Sequence, residues 1–229
     1  LVNANKVEAY NLPQGVIAHL YRAIAGRTPG IVTRIGLHTF IDPRVDGGKL
    51  NACATEDLVE LITLRGQQYL FYPSFPIHCA LIRGTSADPA GNISCEHEPM
   101  EQDVLGIAQA AHGSGGIVIA QVKRLVGKHC APLAQVKVPG VLVDYVVVAE
   151  DPTDQWMSYG EEHNPAYSGE VIEAPRLLTP DALGLRKIIQ RRALLELAEL
   201  SLTAQRPPVV NVGTGLPAGI GKIAREEGL

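Results

Sequence analysis

The sequence predicts an α/β fold of the doubly layered kind, a mostly parallel sheet with helices on both faces. Three observations carry that prediction. Short β-branched runs alternate with runs of helical periodicity along most of the chain. The runs read as strands are apolar almost throughout, as expected of strands covered on both sides. Hydrophobic residues make up 46% of the 229 and charged residues 19%, which excludes disorder by composition. A chain of this length buries about 70% of its unfolded surface, so a core forms without disulfides.

The remaining composition narrows the class. Aromatic residues are 5%, so the core must be aliphatic, and 23 Gly with 16 Pro predict many specified turns. Twenty Lys and Arg against 24 Asp and Glu leave a net charge of -4, which argues against a nucleic-acid or anionic-membrane partner. No run approaches the ~20 apolar residues of a membrane span. Cys53, Cys79, Cys95 and Cys130 form no CxxC pair. The expectation is reduced structural thiols in a cytoplasmic protein, without a zinc-ribbon or dithiol redox motif. The chain opens at Leu1 in a strand-like run and closes at Leu229 just after a helical one. A sheet-forming unit ending there lacks its next strand, so we expect a segment truncated at both ends.

Each element has a local reason. Residues 6–12 alternate as a strand. Residues 13–26 place Val16, Ile17, Leu20 and Ile24 at helical spacing, with Pro13 suited to a first helical position, Asn11 near enough to cap and Gly26 to close. Residues 30–36 read as a β-branched strand, and 39–51 as a loop whose length is more often functional than not. The runs 58–64 and 67–72 flank Arg65-Gly66 as a hairpin. A strand at 78–84 and a Pro-Gly-Asn turn at 87–94 lead to a helix at 102–113, which buries Val104, Ile107, Ala108 and Ala111 and stops at Gly113. Strands follow at 115–126 and at 141–150, the latter the most apolar run and therefore read as buried. Residues 151–176 are a polar excursion, 183–200 the longest helix, and 209–229 a strand, a glycine turn and a helix.

Two of these turns carry unusual chemistry. In Asn11-Leu12-Pro13-Gln14-Gly15 an amide stands at the first turn of a helix, where free N–H groups point the same way. The bland alternative is a capping turn with Gln14 in solvent. In Asn211-Val212-Gly213-Thr214-Gly215 two glycines between a strand and a helix permit close backbone approach to a ligand. A tight structural turn is the alternative, and the spacing is neither GxGxxG nor a phosphate loop. The seven histidines show no HxH or HxxxH spacing, so no metal site is predicted; His38, at the head of the long loop, is the strongest of them. Glu96, Glu98 and Glu101 read as a solvated acidic face, and Arg186, Lys187, Arg191 and Arg192 as surface or interface charge. No GxSxG or isolated Ser-His-Asp set exists.

The motifs NKVEAYNLPQGV, RAIAGRTPGIVTRIGLHTFIDPRVDGGKLN and LIRGTSADPAGNISCEHE, in this order, resemble the family I coenzyme A transferases. The likeness is greatest to the single-chain acetate, propionate and short-chain acyl CoA-transferases, and it covers nearly the whole chain. It implies the NagB/RpiA/CoA transferase-like fold. Residues 1–150 would be most of the α-type half, 151–206 an excursion and connecting helix, and 207–229 the start of the β-type half. It also implies a ping-pong reaction in which a glutamate attacks an acyl-CoA and becomes a glutamyl-CoA thioester. The family's PQG turn corresponds to Pro13-Gln14-Gly15, and its N-x-G-x-G turn to Asn211, Gly213 and Gly215, both as substrate-binding elements of one pocket. The nucleophilic glutamate follows the second turn by a helix and a strand, beyond Leu229; Glu226 and Glu227 do not replace it. The resemblance further implies a homo-oligomer with acyl-CoA and a short carboxylate as substrates and no bound cofactor, the fragment alone being inactive.

Two other readings share the fold class. A non-catalytic effector-binding module predicts a helix-turn-helix and a basic face, and neither is evident. A phosphosugar isomerase predicts a phosphate-binding Ser/Thr/Gly cluster with an acid–base pair, which is not found.

Overall fold

Val16, Leu20, Ala23 and Ile24 recur on one face of helix α1 (Gln14–Ala25) and are all buried, which is why this segment is helical in context. The computed structural model describes residues 1–128, 135–172, 179–204 and 206–228. These fall into two units, Leu1–Ile172 and Glu173–Leu229.

In the first unit α1 covers a three-stranded antiparallel sheet of β1 (Gly30–Thr33), β2 (Glu60–Leu64) and β3 (Gln67–Pro73), in the order β1-β3-β2. Leu70 and Tyr72 of β3 meet Val16, Leu20 and Ile24 in one apolar cluster. The β2–β3 connection is Arg65-Gly66, both with positive φ (51° and 77°), the hand that matches strand twist.

The second sheet holds β4 (Cys79–Ala87), β5 (Ile93–Ser94), β6 (Ile117–Leu125), β7 (Val136–Val138) and β8 (Tyr145–Val148), ordered β7-β5-β4-β6-β8. β4, β6 and β8 run parallel, while β5 is antiparallel to β4 and to β7. Helix α2 (Val104–Gly113) makes the crossover from β4 to β6, burying Ala108 and Ala111 against Ala80, Ile82, Val118, Ala120 and Val122. Close approach of α1 and α2 depends on glycine. A Cβ at Gly113 would lie 3.3 Å from Ala25 Cα, and one at Gly106 would lie 3.4 Å from Tyr21 Cβ.

The α/β class is as expected, with three differences of detail. Parallel pairing is confined to β4, β6 and β8, because the tight Arg65-Gly66 turn pairs its neighbours antiparallel. Helix α2 lies on one face of the five-stranded sheet; the opposite face leaves Leu81, Tyr145 and Val147 exposed. Strands are also fewer or shorter than their sequences promised. Residues 6–12 contribute a single bridge, Tyr10 to Lys49. Gly140–Leu142 forms a 3₁₀ turn, and of the run 141–150 only Tyr145–Val148 is strand, β8, an exposed edge strand rather than a buried one. Asp144 diverts its start, with its carboxylate accepting the Val118 N–H at 2.8 Å. Residues 209–213 form no strand, since no described segment pairs with them.

Among its described residues the second unit holds α3 (Leu185–Thr203) and α4 (Ile220–Glu226), with a 3₁₀ turn at Pro217–Gly219 leading into α4. Lys187 is 6% exposed and ion-paired with Glu226, and Arg191 pairs with Glu227. Lys187 is therefore packed inside this unit against α4, where its sequence neighbours imply surface or interface charge.

Candidate functional site

The site begins at the N-terminus of α1. Pro13 is the N-cap, with ψ 131°, and Gln14 the first helical residue, one position later than the sequence reading placed the start. No side chain caps the helix, Asn11 included. The first helical bonds are those of Val16 and Ile17 to the Pro13 carbonyl, at 2.9 and 3.0 Å. The N–H groups of Gln14 and Gly15 accordingly have no acceptor among the described residues. Both residues are exposed, and a Cβ at Gly15 would meet nothing within 4 Å. A helix end built this way has free donors, positive partial charge and a neutral amide in one place, which suits a carboxylate or an oxyanion.

The long loop holds that end in position. Asn11 N–H donates to the Gly48 carbonyl at 2.8 Å, and Leu50 N–H to the Ala9 carbonyl at 2.9 Å. At Gly48, with φ 76°, a Cβ would come within 2.8 Å of the Asn11 carbonyl oxygen, so glycine is required for the contact. The loop itself folds around Asp42, which is 1% exposed. Its carboxylate accepts the His38 N–H at 2.9 Å, the Arg44 N–H at 3.1 Å, and Arg44 Nε and Nη2 at 2.9 and 2.6 Å. The Arg44 guanidinium, and then these backbone N–H groups, hold the Asp42 carboxyl well below the usual carboxylate range. His38 sits in this loop at φ 63°, its backbone fixed by Asp42. It reaches Gln14 only indirectly, through the Phe40–Gly48 and Gly48–Asn11 hydrogen bonds.

Asn211, Gly213 and Gly215 lie in the second unit, on an exposed turn ahead of α4. Gly215 has φ 86°, and a Cβ there would meet nothing within 4 Å. The turn is anchored behind these residues by Gln190 of α3, whose Nε2 donates to the Leu216 carbonyl at 2.7 Å.

A polar cluster at the carboxyl ends of β4 and β6 escaped the sequence reading. Ser86 Oγ donates to Glu96 at 2.5 Å, while Arg124 donates to Ser86 Oγ and to Glu96, both at 3.0 Å. Burial raises the Glu96 pKa, but hydrogen bonds from the Ser86 and Ser94 hydroxyls, its own backbone N–H and Arg124 together outweigh it and the net shift is downward. Glu98 pairs with Arg83 at 2.9 Å and Glu101 with Lys137 at 2.6 Å. The three glutamates thus make separate long-range pairs rather than one solvated face. The available signal was topological: ligands collect where parallel strands end. Among the cysteines, burial pushes the Cys95 thiol up to about 12, which removes it as a nucleophile at neutral pH. Cys53 and Cys79 are free, and Cys130 and His129 lie outside the described residues.

Parallel central strands, a crossover helix and a helix end left open define an α/β protein with an uncapped, solvent-facing helix terminus. Residues 2–149 match the family described as coenzyme A transferase. The chain belongs to that family. It is 45% identical over 228 residues to a caffeate CoA-transferase of Acetobacterium woodii, covering all of this chain and 42% of that relative. It is 42% identical over 230 residues to the acetate CoA-transferase YdiF of Escherichia coli (strain K12), again covering all of this chain and 41% of the relative. A crystal structure of acyl-CoA transferase (YdiF) from E. coli O157:H7, a thioester complex with CoA, superposes with a TM-score of 0.84 at 43% identity. That match covers 98% of this chain and 43% of the other. The chain therefore spans about two fifths of the length of the relatives it matches.

Proposed function

We propose that this chain forms part of a CoA-transferase that moves coenzyme A between a short-chain acyl-CoA and a carboxylate acceptor. What supports the reading is the likeness of the whole chain to two CoA-transferases, together with the uncapped, donor-bearing start of α1.

In this reading a glutamate C-terminal to Leu229 attacks the acyl carbonyl, the C–S bond breaks and CoA leaves as thiolate, giving a mixed anhydride. The thiolate then attacks the glutamyl carbonyl and expels the acyl group as its carboxylate. An acceptor carboxylate runs the same steps in reverse, leaving as the new acyl-CoA. Negative charge collects on a carbonyl oxygen at each tetrahedral stage. Gln14 Nε2 and the N–H groups of Gln14 and Gly15 are the donors we assign to it, with Asn211, Gly213 and Gly215 as backbone contacts to substrate. His38 is assigned a supporting place in the loop that holds Gly48. Coenzyme A enters as substrate and not as a resident cofactor. A cytoplasmic homo-oligomer is the setting the family resemblance carries with it.

The test is chemical. The protein carrying this sequence, treated with acyl-CoA and then borohydride, loses activity as one glutamate is reduced, and peptide mass spectrometry places it C-terminal to the NVGTG turn. Full activity after that treatment, or a modified residue that is not glutamate, sinks the reading.

A further inference from the structure

The loop after β5 and the excursion after β8 bring together residues 66 and 7 positions apart in sequence: His97, His163 and Glu170. We propose that these three bind one divalent transition-metal ion of the zinc type, tying the excursion to the five-stranded sheet.

The distances carry the argument. Glu170 Oε1 lies 3.1 Å from His163 Nε2 and 3.7 Å from His97 Nε2. One ligand atom from each residue falls within 4.8 Å of the others. A tetrahedral ion with bonds of about 2.0–2.1 Å holds its ligand atoms about 3.3 Å apart. The His163–Glu170 separation is already there, and the His97–Glu170 separation lies a few tenths of an ångström beyond it. The two rings stack with centroids 4.3 Å apart and planes 18° apart, so both present their Nε2 edges toward the same carboxylate. Convergence on one ion requires a turn of each ring that opens the stack, because a metal bonded to Nε2 lies in the plane of both imidazoles. His163 is free to make it, since its Nδ1 bonds to no other described group.

The backbone beneath these side chains is fixed from both sides. His97 N–H donates to Oγ1 of the fully buried Thr85 at 3.0 Å. On the other side Asn164 N–H donates to Ser158 Oγ at 2.6 Å, and Lys123 of β6 pairs with Glu162 at 2.8 Å. Ser168 Oγ donates to Glu170 Oε1 at 2.7 Å, the kind of outer partner that orients a ligating carboxylate. Arg124, whose charge acts on His97, is paired with Glu96 at 3.0 Å, which offsets its repulsion of an ion. Two imidazoles and one carboxylate, without a thiolate, select a borderline ion such as Zn²⁺ or Co²⁺ over the all-oxygen preference of Mg²⁺ and Ca²⁺. No motif spacing exists to betray such a set in sequence.

The experiment uses the full chain stripped of metal, with Zn²⁺ titrated against a chromophoric chelator and Co²⁺ followed by its visible absorption. One ion per chain is expected, and Co²⁺ should give the intense bands of a four-coordinate site. H163A and E170Q should each weaken Zn²⁺ binding at least about 100-fold and abolish the Co²⁺ bands. S168A should weaken binding about 10-fold. H19A, on an exposed face of α1, should change nothing. Glu170 is exposed, so E170Q reads the site even where H163A disturbs folding. Absence of stoichiometric binding by the parent chain, or binding that survives both H163A and E170Q, overturns the proposal.

Discussion

Replacing Gln14 by Ala separates the two roles a residue at a helix start can have. Its side chain is exposed and makes no hydrogen bond within the described residues, so nothing in the fold is lost with it. Ala is the better helix former by a few tenths of a kcal/mol, and surface changes away from caps stay within about ±0.5 kcal/mol. Stability should therefore hold or rise slightly. Activity should not. Removing one preorganised donor from an oxyanion costs about 10²–10³ in rate, or about 2.7–4 kcal/mol of transition-state stabilisation. The assay is CoA exchange between acyl-CoA and carboxylate, set beside a urea unfolding curve of the same preparation. Rate and stability falling together would show that Gln14 caps the helix, and an unchanged rate would remove it from the site.

Two further changes probe the frame. Asp42→Asn removes the acceptor for His38 and Arg44 and should destabilise the first unit by about 1–2 kcal/mol at neutral pH, much of the exposed Arg44 side being screened by water. Because the folded pKa of Asp42 is depressed, its contribution is full above the unfolded carboxyl value of about 3.9 and fades as pH falls below it. Urea midpoints of parent and D42N should thus converge from about pH 4 downward, whereas a constant gap would rule out the carboxylate as the cause. Gly140→Ala would drive a Cβ into the Ala90 carbonyl oxygen and displace the Gly140 N–H from Asn92 Oδ1, now at 2.9 Å. A loss of about 1–3 kcal/mol follows, read as a drop in melting temperature of several degrees. A melting curve that superimposes on the parent's would mean the Asp88–Asn92 turn is free to move aside.

The sequence was legible where a rule is local. α1 and α2 follow from apolar spacing, and the β2–β3 hairpin from a two-residue turn that accepts positive φ. It was illegible where an element exists only by pairing. Residues 6–12, 141–144 and 209–213 carry strand-like sequences, yet among the described residues they gain no ladder beyond the Tyr10–Lys49 bridge. Charge failed for a related reason. Glu96, Glu98 and Lys187 find partners 28, 15 and 39 residues away, and no window of sequence reports such a distance.

The open end of α1 is the point at which local rules and fold disagree, and the disagreement is informative. An N-cap Ser or Asp would occupy one of the first N–H groups and contribute about 1 kcal/mol. Position 13 holds proline, which has no side-chain acceptor, and position 15 holds glycine, which weakens a helix by up to about 1 kcal/mol relative to Ala. That local deficit is offset outside the helix. Gly48 and Leu50 clamp residues 9–11, and the buried stripe of Val16, Leu20 and Ile24 anchors the remaining turns. The strained loop carrying Gly48 is in turn held by a single buried carboxylate, Asp42. Three separate devices thus maintain a helix end whose donors face solvent, unused among the described residues. In the function proposed above, a ligand carboxyl takes up those donors.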